Sequence, residues 1–157
     1  MNSPRPTQQK TFWPRLFPIT YVLHVGEEFL GGGGYSFYLE NLRGIHLSPT
    51  TLLMSQGIGL VLMVVGVILS RRLNFPNLFC VILGSVVLVN CLTHAVQTLC
   101  HRAYVPGLVT AILIWLPLGI VTLLHFKDSM SKRRFGIGVA IGIAINLVVE
   151  VLIISGG

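Results

Sequence analysis

Charge is scarce in this chain. Asp, Glu, Lys and Arg together make up 10% of its 157 residues, against about 25% in a soluble domain. Acidic groups are the rarest: five in all, at Glu27, Glu28, Glu40, Asp128 and Glu150. With 53% hydrophobic residues and a mean hydropathy of +0.79, most of the chain never meets water, which excludes an ordinary soluble fold. The net charge of +6 would suggest a nucleic-acid partner in a soluble protein. Here the basic residues lie in short loops beside apolar segments, so membrane topology explains them and no nucleic-acid partner is expected. Cysteine is limited to Cys80, Cys91 and Cys100, all within one apolar stretch. Residues that far apart along one helix cannot be bridged, so no intramolecular disulfide is expected and the redox compartment stays open. A cleavable signal is not expected either. The first apolar segment carries His24, Glu27 and Glu28, and a tetraglycine follows in place of a small-residue cleavage site.

What the chain does have is long apolar runs. A polar, disordered tail is expected over residues 1–11, then a single transmembrane domain over 12–154. Five spans are read: Phe12 to about Leu30, Thr50–Leu69, Pro76–Cys100, Pro106–Phe126 and Phe135–Ile154. Each approaches the roughly 20 residues that a hydrocarbon core requires. The first is interrupted by Pro14 and Pro18, so a four-span arrangement with this segment lying on the membrane competes; His24 would then not reach the other spans. Pro117 predicts a kink in the fourth. With five spans, one side holds Arg5, Lys10, Arg15, Arg71, Arg72, Lys127, Lys132, Arg133 and Arg134, and the other holds Arg43 and Arg102: nine against two. Positive loops face the cytoplasm. The expectation is an all-α, five-helix bundle, multi-pass in the cytoplasmic (inner) membrane, with its amino terminus cytoplasmic and its carboxyl terminus outside.

Topology sets depth. His24, Glu27 and Glu28 fall in the outer half of the first span, Ser55 and Gln56 in that of the second, Asn90, His94 and Gln97 in that of the third with His101 at its end, and Asn146 and Glu150 in that of the fifth. The inner halves hold almost nothing polar. Faces agree as well. His24 shares a helix face with Glu27 and Glu28, three and four residues on. Asn90, His94, Gln97 and His101 form a continuous stripe, and Asn146 and Glu150 are four apart. Lipid-facing stripes would be very costly, so the three helices must turn them toward one another.

A carboxylate at this depth costs several kcal/mol unless it is paired or bound to a cation. Histidine and carboxylate on facing helices are how bundles build metal sites. His24, Glu27, Glu28 and His94 are the candidate ligands, for a divalent ion with zinc favoured over iron or manganese. Glu27 also serves as candidate general base, and His101 as a second catalytic candidate. Asn90, Gln97 and Glu150 are candidate substrate contacts or supports of the ligands. The bland readings are specific too. Single membrane histidines mostly join helices by hydrogen bonds, and Glu–His pairs can simply stabilise a bundle. Gly138 and Gly142, with Ala140 and Ala144, read as close helix packing, the tetraglycine as a hinge, Cys91 as packing, and His46 and His125 as ordinary residues near water.

HVGEE at His24–Glu28, NCLTH at Asn90–His94 and YVPG at Tyr104–Gly107 resemble, in this order, the HXXEE-motif family of small multi-span bacterial membrane proteins. The resemblance covers roughly the first to the fourth span. It implies a multi-span topology and a functional role for His24, Glu27, Glu28, Asn90, His94, Tyr104, Pro106 and Gly107, and it brings no settled activity. The leading expectation is a metal-dependent membrane hydrolase acting on a lipid or hydrophobic small molecule in the outer half of the bilayer. A di-iron oxidoreductase and a transporter or proton/metal relay are the alternatives, the last requiring polar groups that lead to both faces. Oligomeric state is not encoded in any of these features.

Overall fold

Proline and serine start the helices, and glycine and arginine stop them. The computed structural model describes residues 12–155; the tail expected over 1–11, with Arg5 and Lys10, lies outside them. The elements run α1 (Trp13–Leu30), a triglycine turn, the short α2 (Tyr35–Tyr38) with a wide turn over Leu39–Arg43, α3 (Pro49–Arg72), α4 (Pro76–His101), α5 (Leu108–Phe126) and α6 (Lys132–Ser155). Pro14, Pro49 and Pro76 occupy first turns, where a missing N–H costs nothing. Ser48 caps α3 by accepting from Thr51 N at 3.0 Å. Arg102 ends α4 in the left-handed region at φ 50°. The described residues are all helix, turn or loop, with no strand among them.

Four helices, α3 to α6, are long and apolar enough to cross a membrane. α1 is the exception: its 18 residues include Arg15, Glu27 and Glu28. It does not lie apart from the others, however. Trp13 Nε1 donates to Thr122 Oγ1 at 2.8 Å, Trp115 Nε1 to Thr20 Oγ1 at 3.3 Å, and Val109 N to Glu27 Oε1 at 2.9 Å. These pairs step up α1 while stepping back along α5, so the two helices run antiparallel over their full lengths.

α4 is the axis of the fold. Half of its most apolar 18 residues are buried, against 11–22% of those in α3, α5 and α6. On one side Phe17, Met63, Val67, Val87 and Trp115 close a core between α1, α3, α4 and α5. On another, α6 lies along α4 through glycine. Gly138, Gly142 and Asn146 form its buried stripe. A Cβ at Gly142 would come within 2.6 Å of both Ile82 O and Ser85 Cβ. The same line continues one turn further to Glu150, so the close contact that glycine permits also aims the polar pair of α6 inward. Cys80 and Cys91 are buried in this packing, and all three cysteines are free. In α5 the expected disturbance at Pro117 appears as a wide turn over Ala111–Trp115, where Leu116 N reaches back five residues to Ala111 O. The ring of Pro117 would otherwise clash with the carbonyl four residues earlier.

The glycine contact generates a paired test. Gly142→Leu should overpack the α4–α6 interface and lower stability by about 1–3 kcal/mol. Gly136→Leu, where a Cβ meets nothing within 4 Å, should be near neutral. Thermal unfolding of the purified variants in one detergent would show the difference.

Candidate metal centre

His24 and Glu28 are one turn apart on the buried face of α1, and His94 faces them from α4. All three are at least 96% buried. Glu28 Oε1 lies 3.4 Å from His24 Nε2 and 3.3 Å from His94 Nε2. Ligand atoms from the three residues lie within 4.8 Å of one another, a group able to hold a metal ion. The second Glu28 oxygen accepts from Gln56 Nε2 of α3 at 2.7 Å, and Gln56 is held in turn by the Tyr21 hydroxyl.

His24 is fixed from its other side. Its Nδ1 is 2.8 Å from Thr110 Oγ1, whose own hydrogen is directed to Gly107 O at 3.2 Å. His24 is thus held between two partners, with Nδ1 toward the Thr110 hydroxyl and Nε2 toward Glu28. The indole of Trp115 stacks on the His24 ring with centroids 3.7 Å apart, and the two imidazoles meet edge to face at 5.1 Å. Gly107 completes the wall at φ 96°; a Cβ there would fall 2.7 Å from His94 Cε1 and 2.9 Å from both Glu28 Cγ and His24 Cε1. Only glycine lets the backbone approach so closely.

The decisive feature of the sequence is thus HVGEE itself, whose first and last residues meet the histidine of NCLTH. The chain belongs to the HXXEE family. The family model, described as a protein of unknown function with HXXEE motif, matches residues 15–122. No curated protein and no solved structure matches the chain.

The two glutamates of the HXXEE motif do different work. Glu27 was expected among the ligands or as a base beside them, and the structure turns it away. Its Oε1 accepts from Tyr104 OH at 2.5 Å and Val109 N at 2.9 Å, and its Oε2 from Thr110 N at 2.6 Å. Those amides are the unpaired first N–H groups of α5, so a side chain of α1 caps a helix 82–83 residues away in sequence. The Tyr104 phenol, desolvated and then further raised by the adjacent carboxylate, is pushed up to about 12 and stays a donor at neutral pH. Its ring lies over the backbone of Gly31 and Gly32, where a Cβ would come within 2.8 Å. The tetraglycine expected as a hinge is therefore a packing surface, with Gly32, Gly33 and Gly34 at positive φ.

Other expected residues divide. Asn90 and Glu150 line the same cavity as His24, Glu28 and His94; Glu150 also meets Arg43 at 3.7 Å. Gln97 stands outside it, accepting a long bond from Tyr35 OH at 3.5 Å. His101 is exposed at the end of α4 and packs edge-on against Tyr38. Seven residues of helix, about 10 Å, separate it from His94, so it is not part of the cluster. Thr110 and Trp115 are partners that the sequence does not announce; both lie in an apolar run with nothing at helical spacing to mark them.

Because Glu27 caps α5 and does not face the cluster, Glu27→Ala should cost about 1 kcal/mol of stability. Tyr104→Phe, which leaves both amide bonds in place, should cost less. Thermal unfolding beside amide exchange at Val109 and Thr110 would check the order.

Proposed function

We propose that the protein is a membrane-embedded metalloenzyme, a hydrolase, with His24, Glu28 and His94 as the ligands of one zinc ion. The observation that carries this is the 3.3–3.4 Å spacing of Glu28 Oε1 from the two Nε2 atoms. Two ligand atoms each about 2.0–2.1 Å from a tetrahedral ion stand roughly 3.3–3.4 Å apart. A charge-assisted hydrogen bond would instead draw them to about 2.7–2.9 Å. A neutral His24 that gives its Nδ1 hydrogen to Thr110 turns the Nε2 lone pair to the carboxylate, which is repulsive unless something positive lies between them. Gln56 offers Glu28 about 1.5–3 kcal/mol, less than the several kcal/mol that an unpaired buried carboxylate costs. A cation shared by the three residues closes that gap.

Two histidines and one glutamate with an open fourth position is a catalytic rather than a structural zinc set. Zinc there would supply a Lewis acid and a coordinated water of lowered pKa. Thr110 would hold His24 in the tautomer that presents Nε2, Gln56 would orient the Glu28 carboxylate, and Trp115 and Gly107 would keep bulk water out. The di-iron alternative draws on carboxylates from several helices, whereas Glu28 is the one carboxylate in this cluster. A relay or transporter needs a polar route to both faces, and the cavity below the cluster is lined by Leu62, Met63 and Phe79.

The depth of the site follows from topology. With α1 as a fifth span, supported by its antiparallel course along the whole of α5, the amino terminus is cytoplasmic and the carboxyl terminus outside the cytoplasmic membrane. The cluster then sits in the outer half, where a membrane lipid or another hydrophobic molecule is the substrate. A phosphatase reporter, active only outside the membrane, should be active at the carboxyl terminus and silent at the amino terminus. Activity at both ends, or at neither, would exclude five spans.

Protein purified after growth with added zinc should hold about one zinc per chain. His24→Ala, Glu28→Gln and His94→Ala should each reduce this strongly, since removing a ligand removes a deprotonated donor. Glu27→Gln and His125→Ala should keep it. Elemental analysis decides, and a wild-type chain without stoichiometric zinc, iron or manganese would end the metalloenzyme reading.

A further inference from the structure

We propose that the cavity beside the cluster binds a single-chain amphiphile with a neutral head that donates hydrogen bonds, admitted sideways from the bilayer between α3 and α6. The cavity, about 360 Å³, runs from His24, Glu28 and His94 past Asn90 and Asn146 down to Leu62, Met63 and Phe79. It is polar at one end and apolar along the rest, as a head and a chain would require. Its volume is at the small end of ligand cavities, room for the head and the first part of one chain, the rest of which would lie in the bilayer.

The way in is marked by residues that face both the cavity and the outside. Leu62 on α3 is 66% exposed, and Ile145 and Val149 on α6 are 43% and 47% exposed, yet all three line the cavity. α3 packs on α1 and α4, and α6 packs on α4; among the described residues no comparable packing joins α3 to α6 along the cavity. The outer end is closed instead. Tyr35 lies across it, Arg43 pairs with Glu150, and Ile153 packs against the cluster of Tyr35, Tyr38 and Leu52. An apolar mouth on the lipid side and a closed end toward water favour a ligand already dissolved in the bilayer.

The head is specified by what is unpaired. Asn146 is 4% exposed; its Nδ2 is directed to Val86 O at 3.5 Å, and its Oδ1 is buried without a partner. Asn90 Oδ1 is buried and unpartnered as well. Both atoms only accept, so a matching head brings donors, a hydroxyl or an amide N–H. Glu28 and Glu150 on the same wall, the latter already paired with Arg43, oppose an anionic head such as a phosphate.

This inference shares its cavity with the metal site proposed above, but binding of the ligand does not require the metal, and the experiment separates the two. The full-length protein, chelator-treated or zinc-loaded, is placed in phosphatidylcholine nanodiscs and titrated with 1-monooleoylglycerol or with oleoyl lysophosphatidate, which has the same chain on an anionic head. Native mass spectrometry reads occupancy. Saturable 1:1 binding of monooleoylglycerol in both preparations is expected, with lysophosphatidate at least about tenfold weaker on the chelator-treated chain, where no cation offsets the carboxylates. Asn146→Leu should weaken monooleoylglycerol by about tenfold, the value of a buried hydrogen bond. Leu62→Trp, at an exposed position where the fold should tolerate it, should hinder entry and slow association. Monooleoylglycerol that binds the chelator-treated chain no more tightly than lysophosphatidate, or that binds Asn146→Leu as tightly as wild type and enters Leu62→Trp as fast, overturns the inference. Binding to a chain that holds no metal upholds it while removing the metalloenzyme; a zinc-loaded chain that binds no monooleoylglycerol does the reverse.

Discussion

The buried carboxylate of Glu28 organises this molecule. An acid inside an apolar bundle needs groups around it that hold it in place, and these come from four helices: His24 from α1, Gln56 from α3, His94 from α4, and Thr110 of α5 behind His24. Each of those helices must therefore arrive at one level with one face turned inward. α1 is too charged to rank with the four clearly apolar spans, and yet it is held among them because it delivers this group.

Around that point the fold divides its duties. Glycine sets distances: Gly107 against the imidazoles, Gly142 against the backbone of α4. Aromatic rings set angles, with Trp115 against His24 and Tyr104 over the Gly31–Gly32 backbone. Glu27 ties the end of α1 to the beginning of α5. The motif that names the family is thus half a ligand set and half a structural joint, two adjacent glutamates about 100° apart on one helix and serving different neighbours.

That division explains what the sequence could and could not reveal. The helices α3 to α6 were legible because apolar length is a sufficient signal for a span, and their bounds fall within a few residues of expectation. Helical spacing also placed Asn90 with His94, and Asn146 with Glu150, on faces that do meet. Spacing failed where a face is broad. Glu27 and Glu28 share the polar side of α1, and no periodicity separates the one that turns to α5 from the one that turns to α4. Extending the α4 stripe to His101 failed for a different reason: a stripe gives direction around the helix, while the cluster is limited in height. Thr110 and Trp115 were invisible because their role depends on α1 arriving beside them.

The wide turn at Ala111–Trp115 has a consequence for how this helix tolerates change. In a regular α-helix, residues five apart face directions about 140° apart. A turn that hydrogen-bonds five residues back absorbs the extra residue and brings Thr110 and Trp115 round to the same side, where both touch His24. The segment acts as a phase correction. Its side chains Ile112 and Leu113 are exposed and can be exchanged among apolar residues, but its length cannot: one residue fewer would return α5 to regular winding and swing either the threonine or the tryptophan away from the imidazole. Within this stretch, chain length carries more information than chain identity.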